Sequence, residues 1–272
     1  EVNGPHQGAW IDTPDGQDWF IHFQDVGNAG RIIHLQPMRW EDDWPVIGVN
    51  DKDGCGEPVG TYKKPGCKAQ VEIDAPEDSD DFTSETLGLQ WQWNANYKDD
   101  WYALRPDKGQ IILYAKDKKA ETQLCDVPNL LVQKWPAPEF MNTSCLHVAG
   151  LRDGDIAGMI SLGGVYAALS VEKKAGKLML TQRIGRWTKK NEVVTELTEL
   201  SADKVFLRMK VEKEKYISFY YSLDGEKYEQ VGATSETAPG RWVGVKSGLF
   251  AVHEGEGDGG KAAFEGFFFD KI

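Results

Sequence analysis

Trp91 and Trp93 stand two residues apart, with Gln90, Gln92 and Asn94 interleaved. Along a strand, successive side chains point to opposite faces, so the indoles share one face and the three amides the other. Two chemistries fit. A Trp pair in a core leaves Gln90, Gln92 and Asn94 on an outward face able to hydrogen-bond sugar hydroxyls. A Trp pair turned outward stacks on a pyranose ring. The core reading is preferred, because large aromatics are mostly used inside. His6, between Pro5 and Gln7 and just ahead of a strand, is a second candidate. From spacing alone it reads as a histidine packed in a turn and bonded to the backbone. His22 and His34 sit on separate strands beside apolar neighbours and read as structural. Asp51, Asp53 and Glu57 in "DKDGCGE" superficially resemble a calcium loop, but EF-hand spacing and flanking helices are missing, so a solvated turn is expected.

Other chemistries find no support. With 43 acidic residues, carboxylate pairs arise by chance everywhere, and spacing assigns no acid–base dyad. There is no Gly-x-Ser-x-Gly elbow and no phosphate-binding glycine loop ahead of a helix. Cys55, Cys67, Cys125 and Cys145 form no CxxC pair, so no zinc site is expected. A Cys55–Cys67 bridge in an oxidising compartment and free thiols both remain open. The formal net charge of −12 repels phosphate backbones and anionic membranes, which argues against nucleic acid as a partner. No apolar run reaches the length of a membrane-spanning helix.

The elements that must position these residues are strands. "AWIDT" and "DWFIHFQD" flank the turn "PDGQ" and predict a hairpin over residues 9 to 25. "RIIHLQPMRW" adds a strand in which Pro37 predicts a bulge or a sheet edge. Residues 62–81 read as a linker. Beyond it, "KVFLRMKVE" alternates cleanly, with Val205, Leu207, Met209 and Val211 on one face. "KKNEVVTELTEL" fits a helix face or a strand, and its β-branched residues favour the strand. Ten or more short strands with tight turns imply a two-sheet β-sandwich. The expected division is 1–74 and 75–272. The first part looks too small and open to stand alone, like one sheet cut from a larger array.

Several stretches carry a resemblance. "GPHQGAWIDTPDGQDWFIHFQD" followed by "GRIIHLQPMRWEDDWPVIG" resembles the last blade of the five-bladed β-propeller of glycoside hydrolase family 43, which includes β-xylosidases and α-L-arabinofuranosidases. "SDDFTSETLGLQWQWNANYKDDWYAL", "GDIAGMIS" and "YYSLDGEKYEQVG" resemble the concanavalin-like β-sandwich that follows the propeller. The implied fold is all-β: a remnant of a five-bladed β-propeller, then a two-sheet concanavalin or jelly-roll-like sandwich.

The resemblance implies an inverting glycosidase using an Asp base, a Glu acid and a second Asp, with the two principal carboxyls roughly 6.5–9.5 Å apart. Nothing in residues 1–70 matches those motifs, so no catalytic residue is expected in this chain, and the chain alone is expected to be inactive. The resemblance gives Arg31, His6 and Gln7 to the sugar pocket of the intact protein. It makes His6 a support for a calcium ion there, although hard cations prefer oxygen ligands. No cofactor is required by this chain itself. The implied partners are a xylo- or arabino-configured oligosaccharide and the missing N-terminal blades, and the implied location is secreted or periplasmic. Two alternatives stand beside this reading: a non-catalytic carbohydrate-binding module, and a structural sandwich domain.

Overall fold

The structure is a computed structural model that describes residues 7–49, 55–66, 72 and 74–272. His6, Cys67, Asp51 and Asp53 lie outside the described residues. The chain divides into two compact units, Glu1–Ala75 and Pro76–Ile272.

The first unit is an antiparallel meander of β1 (Gly8–Asp12), β2 (Asp18–Asp25), β3 (Arg31–Glu41) and β4 (Trp44–Ile47), paired in chain order. The β1–β2 turn is built as its residues dictate. The Thr13 hydroxyl donates to Asp15 Oδ1 and accepts from the Gln17 N–H, and Gly16 takes φ +78°. Asp42 and Asp43, both at positive φ, make the two-residue β3–β4 hairpin, a conformation that suits the twist of the flanking strands. Pro37 does not mark an edge or a bulge. β3 lies between β2 and β4, and Pro37 pairs with Trp19. β4 ends at Ile47, the partner of Met38, so the missing Pro37 N–H falls just past the last β4 pair, where only the Pro37 carbonyl is used, by the Gly48 N–H. Trp19, Met38 and Val46 are buried. Gln36 ties in the following segment through two bonds to the Val59 backbone.

The second unit holds the remaining strands: β5 (Gln92–Trp93), β6 (Tyr102–Arg105), β7 (Gln110–Tyr114), β8 (Lys116–Asp117), β9 (Leu131–Lys134), β10 (Phe140–His147), β11 (Asp155–Leu162), β12 (Val165–Lys174), β13 (Lys177–Arg186), β14 (Lys189–Leu200), β15 (Lys204–Glu212), β16 (Tyr216–Ser222), β17 (Glu229–Glu236), β18 (Lys246–His253) and β19 (Lys261–Asp270). They form a seven-stranded sheet in the order β17-β16-β15-β10-β19-β7-β6 and an eight-stranded sheet in the order β14-β13-β12-β11-β18-β9-β5, with β8 beside β18. "KKNEVVTELTEL" is β14, an extended strand.

Period-two alternation decides what lies between the sheets. Val205, Leu207, Met209 and Val211 of β15 meet Met159, Leu169, Leu180 and Leu249 from the opposite sheet. Each such burial contributes about 1.5–3 kcal/mol. β11 is buried along nearly its whole length, because a second cluster covers its other face. There Ile156, Ile160, Tyr166 and Phe250 pack under Leu124, Val127 and Leu130 of the 118–130 loop. No helix among the described residues is long and apolar enough to cross a membrane.

Candidate functional site

In the first unit, Gln7 is exposed just ahead of β1. Arg31 pairs across the sheet with Asp25, Nε to Oδ1 3.3 Å, and lays its guanidinium over the Phe23 ring at 4.2 Å. His22 and His34 are cross-strand partners with stacked rings, 5.3 Å between centroids. The Nε2 atoms of both are buried without a hydrogen-bond partner among the described residues. Among the described residues of this unit, no three His, Cys, Asp or Glu donors converge on one point. The described side chains do not by themselves make a calcium site, and no step is derived through that ion.

In the second unit, Trp91 is core. It packs on Phe82 and Phe267, and its Nε1 donates to Asp80 Oδ2 at 2.7 Å. Trp93 leans edge-on against Trp101. The three amides do not gather on one free face. Only Gln92 and Trp93 of this stretch are in a strand, and Gln90 sits in the preceding turn. Gln92 Oε1 accepts from Lys246 Nζ. Asn94 donates to the carbonyls of Cys125 and Val127 at 3.0 and 2.9 Å, pinning the 118–130 loop over its cluster.

Two features were not legible as sites from spacing. The first is a charged groove of about 760 Å³ on the outer face of the eight-stranded sheet. Arg183, 4% exposed, donates from Nη1 to Glu192 and from Nη2 to Glu172, at 3.0 and 3.1 Å. Lys118 Nζ lies 2.7 Å from Glu254, which also stands 3.7 Å from Arg183. The Tyr166 hydroxyl crosses to Glu192 Oε2 at 2.7 Å. It can do so because Gly185, its cross-strand partner, has no side chain: a Cβ there would collide with the phenol ring. Burial, then the Glu192 contact, push the Tyr166 phenol well above its usual range. Arg183 thus bridges Glu172 and Glu192, and the Tyr166 hydroxyl adds a second donor to Glu192.

The second feature is an aromatic loop. Trp242 is 64% exposed at φ +62°, and Arg241 lies over its ring at 4.4 Å. A bulky residue at positive φ is an outlier costing about 1–3 kcal/mol, and such strain collects at functional loops. Glycine at 164 lets the loop approach: its N–H donates to Ala238 O, its carbonyl accepts the Trp187 N–H, and a Cβ would press on Pro239 O. Trp187, 46% exposed, is thereby anchored at the same loop. The signal in the sequence was "PGRWVG", a Trp set between turn-forming glycines.

Among the described residues, two buried thiols and five carboxylates are also displaced in pKa. Burial pushes the Cys125 thiol up to about 12 and the Cys145 thiol up to about 11, which makes both poor nucleophiles. The displaced carboxylates, Asp81, Asp100, Asp107, Asp224 and Asp258, all move downward, held by hydrogen bonds that favour the anion. A glycosidase acid needs the opposite shift.

The two-sheet sandwich with this strand order is of the concanavalin A-like class. The chain belongs to glycoside hydrolase family 43 through the family of β-xylosidase C-terminal concanavalin A-like domains, whose sequence model matches residues 79–270. A relative from Xylanibacter ruminicola is 36% identical over 254 residues, 92% of this chain and 45% of that protein. A β-xylosidase of Formosa agariphila is 30% identical, over 97% of this chain and 47% of its own length. The chain therefore spans about half the length of the curated relatives it matches. Among solved structures, a bifunctional GH43-CE protein of Bacteroides eggerthii matches with a TM-score of 0.78 at 29% identity, over 99% of this chain and 34% of that one. The GH43 BlXynB protein of Bacillus licheniformis has the same fold, with a TM-score of 0.78 over 97% of this chain and 53% of its own.

Proposed function

We propose that this chain is the non-catalytic portion of an inverting β-xylosidase or α-L-arabinofuranosidase acting on hemicellulose outside the cell. In this reading the first unit is a propeller blade that contributes Arg31, His6 and Gln7 to the pocket floor, His6 beside a calcium ion. The sandwich contributes an aromatic contact for the sugar. The observation that carries the reading is Trp242: exposed, strained, and backed by a guanidinium. An indole face stacks on the C–H face of a sugar ring, and Arg241 is in place to donate to hydroxyls. The Arg183 groove ties its central charges to one another and is lined without aromatic side chains, so it suits structure better than sugar.

The test has two arms. The 272-residue chain should not turn over nitrophenyl β-xyloside or nitrophenyl α-L-arabinofuranoside, and measurable turnover would overturn the non-catalytic assignment. In the whole enzyme, Trp242→Ala should raise KM by up to about tenfold, the equivalent of ~1.4 kcal/mol of stacking, with a smaller change in kcat. An unchanged KM removes Trp242 from the sugar site.

A further inference from the structure

The outer face of the seven-stranded sheet brings together three donors that spacing alone keeps apart. Cys145 and His147 are two residues apart on β10, so their side chains emerge on the same face, opposite the buried Leu146. Glu265 on β19 is the direct cross-strand partner of Cys145. The Cys145 Sγ, a His147 ring nitrogen and a Glu265 carboxylate oxygen all lie within 4.8 Å of one another, and His147 Nε2 stands 2.8 Å from Glu265 Oε2. The Gln110 amide on the neighbouring β7 reaches the same imidazole nitrogen at 3.3 Å.

From these positions we propose that Cys145, His147 and Glu265 form a binding site for a thiophilic divalent cation, with Zn²⁺ the fitting ion. One thiolate, one imidazole and one carboxylate make a mixed S, N, O set that zinc accepts, with bonds of about 2.0–2.3 Å. Tetrahedral bonds of that length place ligand atoms roughly 3.4 Å apart, so the cluster needs only small side-chain adjustments. The fourth position is left to water or to the oxygen of the Gln110 amide, reached by a half-turn of that group.

The surroundings favour a cation. Cys145 is 4% exposed, and its cross-strand partner Glu265 sets a carboxylate beside the sulfur. On binding, the thiol proton leaves to solvent and the sulfur takes the metal. The scaffold is rigid. A β-bulge separates the Thr143–Phe268 pair from the Cys145–Glu265 pair, and the Ser144 hydroxyl locks it by donating to Gly266 O at 2.6 Å. Bulges of this kind re-aim neighbouring side chains. Access is present as well, since Cys145 and Glu265 line a groove of about 380 Å³ walled by Phe206, Tyr228 and Phe268. The expectation of no zinc site, drawn from the missing CxxC pair, considered ligands close in sequence. This cluster is assembled by cross-strand register.

The test titrates the 272-residue chain, stripped with a chelator, with Co²⁺. One equivalent should produce a thiolate-to-cobalt charge-transfer band, and added Zn²⁺ should bleach it. Cys145→Ser should abolish the band, while Cys55→Ser, Cys67→Ser and Cys125→Ser retain it. Should Cys145→Ser fail to fold by circular dichroism, His147→Gln decides. That side chain is part-exposed, and losing a direct ligand should weaken Zn²⁺ binding in calorimetry by at least the roughly 10–100-fold that loss of an outer-shell partner costs. No band, a band surviving Cys145→Ser, or unchanged Zn²⁺ affinity in His147→Gln overturns the proposal.

Discussion

In the four-stranded sheet of the first unit, Ile33 and Trp44 are 63% and 72% exposed, and Trp10, Ile32 and Leu35 are exposed as well. In the sandwich, Met159, Leu169, Leu207 and Phe219 are fully buried. Both regions are built of mainly antiparallel strands, and both are rich in the same residue types. The difference lies in layers. The sandwich presents a second sheet to every inward side chain and adds the 118–130 loop on a third level. The four-stranded sheet buries Trp19, Met38 and Val46 but leaves much of its apolar surface in water. A hydrophobic strand pattern specifies a face, and stability comes only when something covers it.

The largest test of that contrast separates the units. Residues 76–272 alone should unfold in urea in one cooperative transition, while residues 1–75 alone should show no cooperative transition by circular dichroism. A cooperative four-stranded unit would break the comparison. Next comes the charged groove. Arg183→Met leaves Glu172 and Glu192 without their counter-ion and should cost the sandwich about 3–5 kcal/mol in urea unfolding. Asn94→Ala, which frees two loop carbonyls, should cost about 1–3 kcal/mol. By contrast Trp44→Ser, at an exposed position, should change the stability of this chain by less than about 0.5 kcal/mol. A larger loss would mean that the face is already covered.

The smallest effect is acidic. Backbone N–H groups of Lys227 and Glu226, with the Ser222 hydroxyl, hold the Asp224 carboxyl down at about 2. A lowered folded-state pKa gives stability that is fully present above the unfolded value near 3.8 and lost as pH falls through about 2. The melting temperature of Asp224→Asn should therefore fall less steeply than that of the parent between pH 4 and pH 2. Parallel curves would remove Asp224 from the acid limb.

Much of the fold was legible in the sequence, because period two is a local signal. β15 reads directly from "KVFLRMKVE", and β14 follows from its β-branched residues. Pro37 misled, since an edge depends on where the neighbouring strand stops, which β3 does not encode. The amides of Gln90, Gln92 and Asn94 alternate as a strand would require, yet the chain is extended only at 92–93, and the donors of Asn94 are claimed by carbonyls some thirty residues on. The Arg183 groove was invisible for a different reason. Its charges come from positions 118, 172, 183, 192 and 254, and only pairing register makes them neighbours.

Tyr166 lying across Gly185 has a consequence for how such sequences drift. Any side chain at 185 displaces the ring, so a substitution there survives only with a smaller residue at 166. That residue would no longer reach Glu192, and the carboxylate would then rest more heavily on Arg183 and on the Leu124 N–H. Positions 166 and 185 should therefore change as a pair across relatives that keep this sheet, with 192 free to follow, as a covariation that single-site tolerance at any of the three would not reveal.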